Sequence, residues 1–245
     1  MSVIAVIPAR YASTRLPGKP LAPIAGKPMI QHVVERVRGA KKISRAIVAT
    51  DDPRIVSAVE SFGGEAILTR SDQRTGTDRV AEVAARAQGE IFINVQGDEP
   101  LIDPSVVDAL AEAMLDDAEI QIATPCTPIL RAEDVMDPNI TKVVRDFDSN
   151  ALYFSHAPIA WVRDAADSAG ARHWKHIGLY AFRRATLLEF PTLPPGELEG
   201  LEKLEQLRWL ENGFRIRVIE TDYDAVSVDV PADIARVESL LREGR

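Results

Sequence analysis

The sequence predicts an α/β protein with a mainly parallel sheet, helices on both faces and a smaller mixed β region in the second half. Three observations support this fold class. The 245 residues suffice for one large α/β domain. Through the first half, short apolar runs alternate with helical patterns, which is typical of a parallel sheet covered by helices. After about residue 120, strand patterns follow one another without a full helix between each pair. We therefore predict a single domain over residues 1–245.

The first half contains four apolar runs and four helical patterns in alternation. Continuous apolar runs of this kind are expected of strands buried on both faces. Asp52-Pro53 and Asp103-Pro104 each place a capping carboxylate before a proline that suits the first turn of a helix. The predicted strands are 3–8, 46–49, 66–68 and 91–95, and the predicted helices are 28–38, 53–62, 78–87 and one that begins at 104.

The second half contains five strand patterns and two helical patterns. In the first helical pattern, four leucines share one face that we expect to point into the core, and Gly213 follows as a stop signal. The predicted strands are 120–123, 141–145, 151–154, 178–182 and 217–219, and the predicted helices are 201–211 and 231–241.

Composition excludes several classes of protein. The chain carries 37 acidic and 29 basic residues, a net charge of -8, which disfavours a nucleic acid as partner. Its single cysteine, Cys126, excludes an internal disulfide and a four-cysteine zinc site. The apolar run at residues 3–7 is too short for a signal peptide or a membrane span. We therefore expect a cytoplasmic protein with no membrane partner.

A cationic glycine loop follows the first predicted strand. Arg10, Arg15 and Lys19 lie within ten residues of each other, and Gly18 allows backbone N–H groups to approach a ligand closely. In parallel sheets, ligands bind beyond the carboxyl ends of the strands. This combination predicts a polyphosphate site. The alternative is a solvated loop whose cations pair with nearby carboxylates.

Two aspartates that are distant in sequence are candidate metal ligands. Asp98 follows the buried strand 91–95, and Asp229 follows a late strand and precedes a helix start. Mg²⁺ is held by one or two carboxylates together with phosphates and waters, so this pair suits a Mg²⁺–triphosphate complex. For Asp229 the alternative is a capping role at the last helix.

Six segments resemble the signature motifs of the 3-deoxy-manno-octulosonate (Kdo) cytidylyltransferases, also called CMP-Kdo synthetases. They cover essentially the whole chain, and the first and the fourth are the most specific. The segments are residues 7–21 (IPARYASTRLPGKPL), 48–52 (VATDD), 75–79 (TGTDR), 94–100 (NVQGDEP), 204–208 (LEQLR) and 227–233 (SVDVPAD).

The resemblance implies a Rossmann-like nucleotidyltransferase fold, a homodimer, CTP and Kdo as substrates, and Mg²⁺ as cofactor. It implies transfer of CMP from CTP to the anomeric hydroxyl of Kdo, giving CMP-Kdo and pyrophosphate for lipopolysaccharide biosynthesis. Sugar binding and dimerisation are expected at about 125–210. The implied catalytic residues are Arg10, Lys19 and Asp98, the nucleotide-binding residues are Ala9, Arg10, Arg15, Lys19, Gly76, Asp78 and Gln96, and the metal ligands are Asp98 and Asp229.

The sugar needs hydrogen-bonding partners, and the second half offers several. The candidates are His156, His176, Tyr180, Glu202, Glu205 and Gln206. Each could instead satisfy a strand end or the dimer surface. One site departs from the family pattern: His156 stands where the family usually has an arginine that would pair with the sugar carboxylate. Either Lys175 or Arg163 takes the carboxylate, or the accepted sugar differs.

Three alternative functions remain open at this point. The enzyme could activate another acidic sugar, such as an amino-Kdo or a sialic acid. It could transfer a nucleotide to a different acceptor. It could also be a non-catalytic nucleotide-binding regulator, although a mere binder would not need both Asp98 and Asp229 at the phosphates.

Overall fold

The computed structural model describes residues 1–12, 16–164 and 170–243. One large sheet runs through the molecule in the order β5-β4-β1-β6-β11-β7-β10-β8-β9, with β12 also paired to β7, and a small hairpin, β2-β3, lies apart. The strands are β1 Val3–Ala9, β2 Pro23–Ile24, β3 Lys27–Pro28, β4 Arg45–Thr50, β5 Glu65–Leu68, β6 Ile91–Asn94, β7 Ile122–Pro128, β8 Lys142–Arg145, β9 Ala151–Ser155, β10 Trp174–His176, β11 Tyr180–Arg183 and β12 Arg217–Glu220.

Helices connect and cover these strands. They are α1 Met29–Val37, α2 Pro53–Ser61, α3 Gly76–Arg86, α4 Pro104–Asp116, α5 Ala132–Met136, α6 Arg184–Glu189, α7 Glu197–Glu202, α8 Gln206–Glu211 and α9 Pro231–Arg242. The predicted caps of α2 and α4 are confirmed, since Asp52 and Asp103 each accept a hydrogen bond from the backbone two residues on. In the described part of the chain, no helix has the length and apolar character that crossing a membrane requires.

The sheet is parallel in its first half and mixed in its second half, as predicted. Strand β1 pairs in parallel with β4 on one side and with β6 on the other. The chain thus moves outward from β1 through β4 to β5 and then returns to β1's other side at β6. Ligands of such sheets bind at this reversal, beyond the carboxyl ends of the strands. Strands β10 and β11 then join the sheet in antiparallel orientation.

Each face of the sheet packs against its own helices. On β1, the side chains of Val3 and Ile7 join the core under α1, α2 and α4, whereas Ile4 and Val6 join the core under α3, α6 and α8. The predicted placement of helices on both faces is therefore confirmed, and the alternation explains why β1 is apolar at every position.

The predicted helix over 201–211 is wrong in one respect. It is two short helices, α7 and α8, because Lys203 adopts a left-handed backbone conformation with φ 57°. As a result Leu201, expected in the core, is 73% exposed, while Leu204 and Leu207 are buried. Glu202 and Gln206, expected on one helix, lie on different ones.

One further strand prediction needs correction. The strand predicted at 120–123 begins at Ile122 and continues to Pro128. The short strand β10 was not predicted, since three residues carry too little pattern to stand out. At the start of α3, Thr75 is the cap: its hydroxyl accepts from the Asp78 N–H, and the Asp78 carboxylate accepts from the Thr75 N–H at 3.0 Å.

Candidate active site

The loop after β1 is folded back on itself. The N–H of Gly18 donates to the Tyr11 carbonyl at 2.9 Å, and Gly18 has φ 70°. A Cβ at Gly18 would stand 3.3 Å from atoms of the Tyr11 ring, so both the backbone angle and the close ring require glycine. The guanidinium carbon of Arg54 also contacts this ring and lies 3.4 Å from the centroid of Tyr11. The hydrogen bond and the ring contact therefore hold Tyr11 and Gly18 against each other.

Lys19, Asp98 and Asp229 meet beside this loop. The Lys19 ammonium lies 2.6 Å from an Asp98 oxygen and 3.3 Å from an Asp229 oxygen. The two aspartates come together because the Val228 N–H donates to the Asp98 carbonyl at 2.9 Å. The capping alternative for Asp229 does not hold, since the carboxylate that accepts from the backbone at the start of α9 belongs to Asp233.

These groups border a cavity of about 350 Å³ at the carboxyl ends of β1 and β6. It is lined by Pro8, Ala9, Arg10, Ala12, Lys19, Pro20, Met29, Gln96, Gly97, Asp98 and Asp229. The Arg10 guanidinium is held by the Gln73 carbonyl at 3.0 Å. We call this space the phosphate cavity, because two cations and two carboxylates converge on it.

A second cavity of about 370 Å³ lies next to it, and we call it the polar cavity. Gln96 lines both spaces, and its side-chain amide donates to the Gly178 carbonyl at 2.9 Å. The polar cavity is lined by Gly76, Asn94, Gln96, Asn139, Ile140, Thr141, Lys175, His176, Gly178, Tyr180, Leu204, Glu205 and Gln206. A ligand in one cavity can therefore reach a ligand in the other across Gln96.

Two buried amides of the polar cavity are left unsatisfied by the protein. Asn94 Oδ1 and Gln206 Nε2 are buried and have no hydrogen-bond partner among the described residues. Asn94 is 2% exposed and Gln206 is 5% exposed. An unpaired buried polar group costs free energy, so the wall of the polar cavity keeps hydrogen-bonding capacity that the protein itself does not satisfy.

Lys175 supplies the positive charge of the polar cavity. Of the lining residues, it is the one cation, and its ammonium pairs with Asp224 at 2.6 Å. Its side chain is 25% exposed, against 72% for Asp224. A carboxylate entering the cavity can therefore compete for this ammonium.

Glu205 lies at the start of α8 and accepts a hydrogen bond from the Thr77 hydroxyl. Burial raises the pKa of the Glu205 carboxyl. Thr77 is itself 1% exposed, so this contact joins α8 to α3 across the cavity wall. The arrangement leaves Glu205 as a hydrogen-bonding group of the cavity with a reduced tendency to ionise.

Neither cavity is lined by the predicted site residues His156, Glu202 or Asp78. The His156 ring donates through Nδ1 to the Pro138 carbonyl at 2.7 Å, and Glu202 accepts from the His156 N–H at 3.0 Å. Asp78 is occupied by the cap of α3. Gly76 borders the polar cavity rather than the phosphate cavity. Arg15 lies outside the described residues. Ligand contacts for these five residues stay predictions.

Asn94 was missed by the sequence analysis. It is the one polar residue of the apolar run 91–95, and that interruption of a buried strand was a usable signal.

Glu99 also has a partner that the sequence did not indicate. Its carboxylate accepts from the Tyr223 hydroxyl at 3.1 Å, and burial raises the pKa of Glu99 to about 7.

The donor set at Asp98 and Asp229 suits Mg²⁺. Among the residues that the structure describes, no group of three or more His, Cys, Asp or Glu side chains could hold a metal ion. Mg²⁺ needs only one or two carboxylates when phosphates and waters complete its shell. The Lys19 ammonium between the two carboxylates shows that their oxygens converge on one cation position.

A larger cleft lies at the opposite edge of the sheet. Its volume is about 590 Å³, and it lies at the amino ends of β7 and β12. Of the predicted site residues that the structure describes, none lines this cleft. Size alone therefore does not identify the site, and the converging charges at the carboxyl edge do.

Comparison with known proteins agrees with this site. Residues 4–217 match the family model for cytidylyltransferases. A 3-deoxy-manno-octulosonate cytidylyltransferase of Syntrophotalea carbinolica is 53% identical, with 99% of each chain covered. One of Geotalea daltonii is 49% identical, again with 99% of each chain covered.

Solved structures show the same fold. The structure of CMP:2-keto-3-deoxy-manno-octonic acid synthetase complexed with CTP superposes with a TM-score of 0.95 at 45% identity and covers all of both chains. A cytidylyltransferase of Leptospira borgpetersenii superposes with a TM-score of 0.68 at 18% identity. The match covers 99% of this chain and 87% of the Leptospira chain, so the two share the fold. The chain therefore belongs to the 3-deoxy-manno-octulosonate cytidylyltransferase (CMP-Kdo synthetase) family.

Proposed function

We propose that this protein transfers CMP from CTP to the anomeric hydroxyl of Kdo and releases pyrophosphate. The observation that carries the proposal is the pair of cavities that share Gln96. A triphosphate in the phosphate cavity would lie directly beside a sugar in the polar cavity. The hydroxyl oxygen of the sugar attacks the α-phosphorus and its proton passes to water. The bond between the α-phosphorus and the bridging oxygen to the β-phosphate breaks as pyrophosphate leaves.

The phosphate cavity supplies charge and orientation. Arg10 and Lys19 bind the triphosphate and stabilise negative charge on the departing pyrophosphate. Both cations are already held in place, Arg10 by the Gln73 carbonyl and Lys19 by two carboxylates. Their positions therefore need little reorganisation when the nucleotide binds.

The polar cavity supplies recognition of the acidic sugar. Asn94 and Gln206 place amide side chains in its lining, and such groups hydrogen-bond to sugar hydroxyls. Lys175 takes the carboxylate, a role for which His156 is poorly placed because its ring is bound to the Pro138 carbonyl. His176, Tyr180 and Glu205 complete the lining. This set supports an acidic sugar as acceptor.

Mg²⁺ belongs to the proposal as cofactor, with Asp98 and Asp229 as its protein ligands. When bound, it would screen the phosphate charges and lower the pKa of the attacking hydroxyl.

We predict that Asp98→Asn abolishes Mg²⁺-dependent turnover while the protein stays folded. Rates across a magnesium titration measure this, with Asp103→Asn at an exposed helix cap as the control. Normal turnover of Asp98→Asn would show that Asp98 is not a metal ligand.

The proposal also includes a homodimer that works in the cytoplasm and supplies activated Kdo for lipopolysaccharide. Seven large apolar side chains among the described residues of the region 125–210 are exposed, and they support the dimer. They are Leu130, Met136, Phe147, Leu152, Trp161, Leu198 and Leu201. Exposed apolar groups concentrated in one region are typical of an interface.

Pyrophosphate release tests the proposed reaction. Each of the four nucleoside triphosphates is combined with Kdo, an amino-Kdo or a sialic acid in the presence of Mg²⁺. Pyrophosphate release is measured, and the product is identified by mass spectrometry. The expected result is CMP-Kdo from CTP and Kdo as the preferred pair. Preference for another acid would reassign the sugar, and CTP binding without any product would favour the regulator.

A further inference from the structure

Thr124 lies outside every motif that the sequence analysis identified, yet its hydroxyl organises one wall of the polar cavity. It lies on β7 and is fully buried. Its Oγ1 is 2.9 Å from His176 Nε2, 2.7 Å from the Leu179 carbonyl oxygen and 3.3 Å from the Ile177 carbonyl oxygen. These partners all belong to the turn 176–180, which joins β10 to β11 and carries His176 and Tyr180.

The hydrogen-bond chemistry of this contact allows one arrangement. A threonine hydroxyl has one hydrogen to donate, and a carbonyl oxygen can only accept. The hydrogen therefore goes to the Leu179 carbonyl, which is the nearer one. The Thr124 oxygen must then accept from His176, so the imidazole carries its hydrogen on Nε2.

The rest of the environment keeps the ring neutral and fixes its orientation. Burial lowers the pKa of His176 to about 3. The ring of Phe154 contacts it edge-on with centroids 4.8 Å apart, and the Tyr180 ring lies 5.5 Å away. A neutral imidazole with hydrogen on Nε2 has a lone pair on Nδ1, and His176 lines the polar cavity.

We propose that Thr124 is a positioning residue that holds His176 in the Nε2–H tautomer, so that Nδ1 accepts a hydrogen bond from a hydroxyl of the sugar acceptor. The inference rests on the proposed function, since it takes the polar cavity as the sugar site. It makes His176 a selective group: a hydroxyl can donate to Nδ1, whereas a carboxylate or a carbonyl cannot. The carboxylate is thereby left to Lys175.

The tautomer can be measured without any substrate. In protein labelled with ¹⁵N-histidine, NMR distinguishes a protonated ring nitrogen from an unprotonated one by their chemical shifts. The chain has four histidines, and the His176 signals are those missing from His176→Gln. We expect hydrogen on Nε2 alone at neutral pH. Hydrogen on Nδ1, or on both nitrogens, would overturn the proposal.

Titration of Kdo into the same labelled enzyme tests the contact with the sugar. The enzyme is first saturated with a CTP analogue whose α–β bridge is methylene, so that no turnover occurs. We expect the Nδ1 resonance of His176 to move toward that of a hydrogen-bonded nitrogen as Kdo binds. If Kdo binds and Nδ1 does not respond, the proposal is wrong. If Kdo does not bind at all while the tautomer is as expected, the result contradicts the proposed function, which names Kdo as the acceptor.

Variants of Thr124 separate positioning from mere packing. Thr124→Val keeps the shape and removes the hydroxyl, whereas Thr124→Ser keeps the hydroxyl. Loss of one neutral hydrogen bond to the sugar should raise its KM roughly three- to tenfold in Thr124→Val. The KM for CTP should stay unchanged, and Thr124→Ser should restore the wild-type value.

Thr127→Val is the matched control, because Thr127 is also buried on β7 and lines neither cavity. It should leave both KM values unchanged. A wild-type sugar KM in folded Thr124→Val, or an equal rise in Thr127→Val, would overturn the positioning role. The NMR measurements on wild type decide the case if Thr124→Val does not fold.

Discussion

Single side chains determine how the phosphate cavity is charged. Lys19 is 12% exposed at its side chain and is held at 2.6 Å from Asp98 and 3.3 Å from Asp229. The positive charge of its ammonium therefore offsets the repulsion between two neighbouring carboxylates. The same ammonium faces the space in which a triphosphate would lie. Removing it affects the cavity twice, through the lost cation and through the unbalanced carboxylates.

We predict that Lys19→Ala weakens CTP binding by about 1.5–3 kcal/mol, because a charge-assisted hydrogen bond to phosphate is lost. Calorimetric titration of the folded variant with CTP measures the change. Lys27→Ala is the matched control, since Lys27 pairs with Glu35 at the surface and lies outside the cavity. Wild-type CTP affinity in Lys19→Ala would contradict the assigned role.

His176 makes stability depend on pH. Burial lowers its pKa to about 3, whereas in the unfolded chain an imidazole titrates near 6.5. The unfolded state therefore takes up a proton first as pH falls, so this contribution to stability is complete above about pH 6.5 and is lost on acidification.

From pH 7 to pH 5, His176 should lower the free energy of unfolding by about 2 kcal/mol. Urea denaturation of wild type and His176→Gln at both pH values measures this, and the variant should lose correspondingly less stability over the interval. Equal losses in the two proteins would show that His176 is not held neutral.

At the scale of elements, the break between α7 and α8 shapes the polar cavity. Lys203 ends α7 in the left-handed conformation with φ 57°, and α8 begins at Gln206. Leu207 of α8 is buried and Gln206 lines the polar cavity, whereas Leu201 of α7 is exposed.

We predict that Lys203→Gly stabilises the protein by about 0.5–1 kcal/mol, because glycine adopts the left-handed conformation without a Cβ penalty. Thermal unfolding monitored by circular dichroism measures it. Lys203→Ala removes the charge and keeps the penalty, so it should stay near wild type. A gain in Lys203→Ala as large as that in Lys203→Gly would assign the effect to charge rather than to backbone conformation.

At the scale of the molecule, exposed apolar side chains concentrate in the half of the chain that carries the polar cavity. Leu130 and Trp161 are 88% and 71% exposed. The proposed homodimer would cover such groups, and a charge placed among them would have to be buried without a partner.

We predict that Trp161→Glu weakens self-association by about 2 kcal/mol or more, as expected for a large aromatic side chain at an interface. Sedimentation velocity over a range of concentrations measures it. Leu68→Glu is the control, because Leu68 is 51% exposed but lies on β5 at the other end of the sheet. A monomeric wild type, or dissociation in Leu68→Glu alone, would contradict a dimer through this region.

Much of the fold was predictable because its signals are local. The caps at Asp52 and Asp103 act within two residues, and the apolar run that forms β1 is continuous. The helix break at Lys203 was not predictable, since lysine shows no preference for the left-handed conformation and the leucine spacing suits an unbroken helix. Strand β10 exists only because β7 and β8 offer it partners.

The sequence by itself determined the α/β class and the family, and it predicted the cationic loop and Asp98 as parts of a phosphate site, since each of these depends on motifs of residues close together in the chain. Only the tertiary structure decided that Asp229 joins Asp98, through the backbone bond from Val228. It also decided that Thr124 meets His176, 52 residues away. Contacts of this kind depend on sheet order and strand register, which short-range patterns do not encode.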